Sequence, residues 1–410
     1  AAACRWPRPG PVHVNVAFRE PLVPAAPEAC ATWQLGPASV DLPGKVTAPL
    51  RALAGWAAGL NGRRGAILAG RLAPGDPAVD AVLALATALD CPVIADPLSG
   101  LRGGGDPHAR VLVGGDAFLR HPAAPVPDWL IRVGKPPVSR HVEEWAARCA
   151  DTLLLAPANG WPDPGRAATR VVLGDPAASL AALTAAVQRA GLEAAQWDAL
   201  DRLEAAARQA LEALDAPPAE ATLVRAVAQA VDEGTPVFVG NSLVVRDFDS
   251  FLGRGATRLS LHANRGVSGI DGNVSTAAGL AAGSGRSACA VLGDVALFHD
   301  LNGLALLRSH PVVAIVVNNS GGAIFGQLRQ AGLPEFEQLW LTPQGIEPER
   351  AAALFGIGYA RLDPAPDMTN MLRECLAAGR SMLLEFAVDR AASHAGRRAW
   401  WNALGGAATN

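Results

Sequence analysis

The 410-residue sequence holds two lysines against 33 arginines, a single tyrosine and three methionines. Beside 43 glycines and 32 prolines this is a bias of the whole chain, and it carries no functional weight. Positive charge is not in surplus: the formal net charge is -3, which excludes an electrostatic match to nucleic acid. No apolar run approaches the roughly 18 to 20 residues that span a bilayer, and no charged-then-apolar leader opens the chain. A cytoplasmic protein without a membrane span is expected. The six cysteines (Cys4, Cys30, Cys91, Cys149, Cys289 and Cys375) lie far apart, with no CxxC or Cys/His ligand spacing, so reduced, buried thiols are expected rather than a zinc site or disulfide framework. Methionine is absent before Met368, which suggests a fragment or a processed chain.

Half of the residues are hydrophobic and 18% are charged, a balance that excludes disorder. At roughly 100 to 200 residues per domain, the length predicts two or three domains. Short apolar runs bounded by Gly, Asp and Pro alternate with helical stretches, the pattern of parallel sheets covered on both faces. The first set is Gly65–Gly70, Pro92–Ala95, Val111–Gly114, Trp129–Val133 and Thr152–Leu155; the second is Pro236–Gly240, Ala288–Gly293, Val312–Val317 and Met382–Val388. Between them Leu192–Leu214, rich in Ala, Glu, Gln, Leu and Arg, predicts a helix that Pro217-Pro218 follows. The fold class is α/β, with two doubly wound parallel-sheet domains. Boundaries are expected at 25–191 and 219–405, joined by a helical linker over 192–218, with 1–24 as the last strand and exit linker of a preceding domain.

Ligands of open parallel sheets bind outside the carboxyl ends of the strands. In the second set those ends carry Asn241-Ser242, Asp294 and Asn318-Asn319-Ser320-Gly321-Gly322, and a segment near Leu261 runs into Asn264-Arg265-Gly266. Two adjacent strands ending in Asp294 and Asn319 supply two oxygen ligands to a hard cation, and the backbone carbonyl near Gly321 a third. Mg²⁺ wants about six oxygens, so so few protein ligands point to a phosphate-bearing partner. The run Gly269-Ile270-Asp271-Gly272-Asn273 opens a helix of small residues whose N-terminus is expected to receive phosphate oxygens. Each element alone is common turn chemistry.

Together, Gly293-Asp294 and Asn318-Asn319 some 25 residues later resemble the diphosphate and Mg²⁺ motif of thiamine-diphosphate enzymes, with Val295 where a Gly usually follows the Asp. The flanking runs Gly240–Asp247, Ala263–Gly272, His299–Leu304 and Val317–Phe325 resemble the 2-succinyl-5-enolpyruvyl-6-hydroxy-3-cyclohexene-1-carboxylate (SEPHCHC) synthase family of menaquinone and phylloquinone biosynthesis. The likeness extends to Gly10–Leu22 and Ala95–Gly100, nearly the whole chain.

The resemblance implies a transferase that decarboxylates 2-oxoglutarate and adds the succinyl-semialdehyde unit to isochorismate, using thiamine diphosphate and Mg²⁺ or Mn²⁺. It implies metal ligands Asp294, Asn319 and Gly321, and a cofactor site of Gly269, Ile270, Gly293, Asp294, Val295, Asn319, Gly321, Gly322, Ala323 and Ile324. Ile270 is the apolar residue on which the cofactor bends. Substrate contacts are implied for Asn241, Ser242, Arg246, Arg265, Ile324, Phe325, Leu328 and Arg140, the arginines as carboxylate partners. In the family a preceding pyrimidine-binding domain supplies the Glu that activates the cofactor across a subunit boundary. A homodimer or homotetramer is thus expected for the complete enzyme, and these 410 residues alone are expected to be inactive. Two alternatives stay open: another thiamine-diphosphate 2-oxo acid decarboxylase or acetolactate-type carboligase, and a non-catalytic cofactor-binding fragment.

Overall fold

The computed structural model describes residues 50–104, 108–158 and 160–405. The expected leading strand within residues 1–24, with Cys4 and Cys30, lies outside them. Twelve strands are described: β1 (Gly65–Ala69), β2 (Val93–Ala95), β3 (Val111–Leu112), β4 (Trp129–Val133), β5 (Thr152–Pro157), β6 (Arg170–Gly174), β7 (Pro236–Val239), β8 (Ser260–His262), β9 (Ala288–Gly293), β10 (Val312–Asn318), β11 (Gly358–Arg361) and β12 (Met382–Ala387). They form two six-stranded sheets, ordered β3-β2-β1-β4-β5-β6 and β11-β12-β10-β9-β7-β8, and every strand pairing is parallel. This is the doubly wound α/β architecture read from the sequence.

The inner strands are apolar on both faces because helices cover both faces. Alternate residues feed different cores. Ala66, Leu68 and Leu130 join Val237, Val291 and Ile315 in one cluster that runs between the sheets through the helices Ala199–Glu212 and Ala219–Ala230. Ile67, Ala69 and Ile131 pack on the outer face of the first sheet, and Phe238, Ala290 and Val316 on that of the second. Buried at 4% exposure, Arg102 fastens the two halves: it donates to the carbonyls of Ala95, Phe248, Asp249 and Leu252 and pairs with Asp249 at 2.6 Å. Asp96 accepts from Leu98 and Val138, so the Ala95–Gly100 run shapes the strand end on which Arg102 rests.

Three elements depart from the sequence reading. β6 and β11 were not expected: both are partly exposed edge strands, β11 carries no apolar run and that of β6 is only three residues long. The linker helix starts at Ala199: Gly191 ends the preceding helix in a left-handed conformation, and Ala194 and Ala195 donate to Leu89 and Arg63 instead of continuing a helix. Docking overrides helix propensity there. Cys91, Cys149 and Cys289 are free and buried, as expected, whereas Cys375 is free but only half-buried; burial pushes the Cys91 and Cys289 thiols up to about 12. Among the described residues no helix is long and apolar enough to cross a membrane.

Candidate functional site

Three neighbouring strands of the second sheet end at one level. Val239 of β7 lies opposite Val291 of β9, and Gly293 of β9 lies opposite Val317 of β10. Asn241, Asp294 and Asn319 therefore leave the sheet side by side, where the strand order reverses between β7 and β9. The register alone gathers the sequence-predicted residues.

Asp294 is 4% exposed and Asn319 8%. Burial pushes the Asp294 carboxyl up to about 6, against hydrogen bonds from backbone N–H groups including that of Gly321, which donates to Oδ2 at 2.7 Å. No cationic side chain contributes to that shift. The Asn319 Oδ1 is buried and has no hydrogen-bond partner among the described residues. A buried carboxylate without a cation and a buried amide oxygen without a donor fit an oxygen-liganded hard cation. Asn318 takes no part: its Nδ2 donates to Glu385 at 2.7 Å and its Oδ1 accepts from Ser320. Gly321 has a φ of +124°, and a Cβ there would lie 2.2 Å from the Leu341 carbonyl oxygen. Only glycine fits that turn. Its carbonyl accepts from Ala323 at 2.9 Å, which leaves one lone pair.

The helix Asn273–Ser284 differs from expectation. Asp300 accepts from the Ser275 N–H at 2.8 Å and from its hydroxyl at 3.2 Å, so a carboxylate already sits at this helix start. It is not a free anion seat.

Asn241 has a positioning role that the sequence does not show. Its Nδ2 donates to the carbonyls of Asn264 and Gly269 at 2.9 and 2.8 Å, and its Oδ1 accepts from Arg265 at 2.9 Å. With both amide hydrogens committed, Asn241 orients the Asn264–Gly272 loop that carries Ile270, and its Oδ1 keeps one lone pair. Asn264 extends the chain to Thr276 at 3.0 Å. Ser242, at φ 65° and ψ −126°, turns the chain into the helix Leu243–Phe251, and its carbonyl accepts from Arg246 at 2.6 Å. Such a backbone costs on the order of 1–3 kcal/mol and persists only where the surrounding structure holds it.

Arg246 and Arg265 are both half-buried. Burial lowers the Arg265 pKa, and Arg246 and Arg71 lower it further, so three guanidinium groups lie within electrostatic reach. Arg71 follows β1 and Lys135 follows β4, the strands between which the first sheet reverses order. Together with Arg265, Asp96 and Trp161 they line a cleft of about 700 Å³. The sequence reading missed Arg71 and Lys135; the strand-end rule applied to the first sheet would have found them. Arg140 is corrected. Its side chain is 85% exposed and paired with Glu144 one helical turn on, and it is not among the residues that line this cleft.

Ile324 and Phe325 are half-buried in a 3₁₀ turn, Ala323–Gln327, and Leu328, 48% exposed, follows it. Phe325 meets Trp340 edge-on with ring centroids 5.6 Å apart. Gly293 closes β9, Val295 lies in the first turn of the helix Asp294–His299, and Gly269, Ile270, Gly322 and Ala323 lie in the loops and turns beyond the neighbouring strand ends. Several well-covered glutamates are committed elsewhere: Glu204 to the Val113 and Gly114 N–H groups, Glu220 to Ser393 and Arg397, Glu385 to Asn318 and Tyr359.

The family model described as thiamine pyrophosphate enzyme, C-terminal TPP binding domain, matches residues 253–386. The chain is 38% identical over 385 residues to the SEPHCHC synthase of Dechloromonas aromatica, covering 93% of this chain and 69% of the relative. The synthase of the same name from Thermobifida fusca is 37% identical over 423 residues, covering 99% and 72%. Among solved structures, a candidate thiamin diphosphate-dependent enzyme from Mycobacterium smegmatis superposes with a TM-score of 0.57 at 20% identity, covering 87% of this chain and 67% of that one. That likeness supports the fold. With two doubly wound sheets, a thiamine-pyrophosphate-binding domain and relatives at this identity over most of their length, the chain belongs to the 2-succinyl-5-enolpyruvyl-6-hydroxy-3-cyclohexene-1-carboxylate synthase family.

Proposed function

We propose that the protein decarboxylates 2-oxoglutarate and joins the four-carbon unit to isochorismate, giving SEPHCHC in quinone biosynthesis. The observation that carries this reading is the convergence of Arg246 and Arg265 on the strand ends that carry Asp294 and Asn319. Thiamine diphosphate, when bound, supplies the electron sink for loss of CO₂ from a 2-oxo acid. Asp294, the Asn319 amide oxygen and the Gly321 carbonyl would hold Mg²⁺ or Mn²⁺, and the turns at Gly293–Val295 and Asn319–Ala323 the diphosphate. Ile270, positioned through Asn241, is the apolar support for the cofactor's bent shape.

Arg246 and Arg265 take substrate carboxylates, and their mutual proximity suits multiply anionic substrates better than pyruvate. Half-desolvated guanidinium groups gain most from such partners. Ser242 lies beside them, while Ile324, Phe325 and Leu328 exclude water from the opposite wall. The commitment of Glu204, Glu220 and Glu385 supports an activating Glu supplied from outside the described residues, across a subunit boundary in a homo-oligomer. The units 25–191 and 219–405, joined by 192–218, are the middle and diphosphate-binding domains of this reading. Turnover by the full-length protein tests it: consumption of 2-oxoglutarate dependent on isochorismate is expected. Turnover of pyruvate without such dependence would favour an acetolactate-type carboligase.

A further inference from the structure

The helix Arg390–Gly405 touches both walls of the proposed substrate site through one face. Arg390, Ser393, His394 and Arg397 stand at i, i+3, i+4 and i+7, so they project to the same side. Arg397, 2% exposed, pairs with Glu220 at 3.1 Å and with Asp247, the neighbour of Arg246. Ser393 donates to Glu220 at 2.6 Å. On the other side Arg390 reaches Glu337 at 3.3 Å, in the π-helical turn Glu337–Leu341 whose Trp340 packs on Phe325.

His394 makes the closest of these contacts. A Cβ on Gly326 would lie 2.4 Å from its Cε1 and 3.0 Å from its Nδ1, so the imidazole lies directly against the backbone of the 3₁₀ turn. The ring also hydrogen-bonds the Ala323 backbone, and burial with nearby Arg397 and Arg398 lowers its pKa. Its Nε2 is buried without a partner among the described residues.

We propose that this C-terminal helix braces the substrate site, with Arg397 fixing the Arg246 helix and His394 acting as the positioning residue for the Ile324–Leu328 wall. The Ile324–Leu328 wall leaves the sheet as a short 3₁₀ turn, and such a segment opens at low cost unless tied from outside. The spacing between cationic wall and apolar wall is then set by the helix rather than by the sheet. The assignment of these walls to substrate rests on the function proposed above; the brace itself does not.

The test uses full-length protein and the variants His394→Ala, His394→Gln, Gly326→Ala and the His394→Ala/Gly326→Ala double variant. Hydrogen exchange at residues 322–328 should rise about tenfold in His394→Ala while β9 and β10 stay protected. KM for isochorismate should rise about fivefold, with kcat and thiamine diphosphate affinity within about twofold, and the double variant should be no worse than Gly326→Ala. Gln, which keeps a donor towards Ala323, should restore much of the loss. Unchanged exchange at 322–328 in His394→Ala, or loss of protection throughout the sheet together with cofactor affinity, overturns the brace. If wild type does not use isochorismate, the functional reading falls and the exchange result alone decides the brace.

Discussion

Both sheets are doubly wound, with different strand orders, and they finish their crevices differently. In the first, the strand ends beside the reversal carry Arg71 and Lys135 on an open cleft of about 700 Å³. In the second, they carry Asn241, Asp294 and Asn319, all buried, and the amide oxygen of Asn319 lacks a partner. Unsatisfied buried oxygen is costly, so it persists where a ligand completes it. The same doubly wound architecture therefore carries a buried, partnerless oxygen at one set of strand ends and a solvent-open cationic mouth at the other, and the difference resides in a few strand-end residues.

The largest break in this contrast is expected from Gly321→Ala. A methyl group 2.2 Å from the Leu341 carbonyl at a φ of +124° cannot be absorbed without moving the turn. Thiamine diphosphate binding should be lost, and melting should fall by the equivalent of about 3 kcal/mol or more, read by calorimetry and thermal denaturation. Next, Arg265→Ala should lower kcat/KM by about 2–4 kcal/mol while leaving cofactor affinity near wild type, which steady-state kinetics beside cofactor titration will show. Asn319→Ala, removing one neutral ligand, should weaken Mg²⁺-dependent cofactor binding by about 1–3 kcal/mol.

The smallest effect expected is on pH dependence. Burial raises the Asp294 carboxyl to about 6, so in cofactor-free protein the stability associated with its protonated form is present at low pH and lost as pH rises through about 6. Cation binding needs the ionised form and should strengthen across the same window. Subtracting the profile of Asp294→Asn from wild type isolates the carboxylate from titration of the diphosphate itself. A difference profile that is flat between pH 5 and 7, a window about one unit either side of that pKa, removes Asp294 from the metal site.

Inner strands were legible because burial on both faces writes a continuous apolar run, as in Val312–Val317, and Asp294 and Asn319 because each directly follows such a run. Edge strands β6 and β11 were not, since half-exposed residues follow no single period. The positioning role of Asn241 was hidden for a different reason. Sequence places a polar residue at a strand end, but only the fold shows that it meets Asn264, Gly269 and Arg265. Arg140 looked comparable to Arg265 in sequence; helix direction sent one to Glu144 and solvent and the other into the cleft. Family resemblance names residue types, whereas tertiary register decides which of them meet.

Calorimetric titration of thiamine diphosphate with Mg²⁺ into full-length wild type, Asp294→Ala and Lys135→Ala tests the contrast between the two crevices most directly. Loss of binding in Asp294→Ala with wild-type binding in Lys135→Ala is the predicted result. Equal binding in all three, or loss in Lys135→Ala alone, would contradict it.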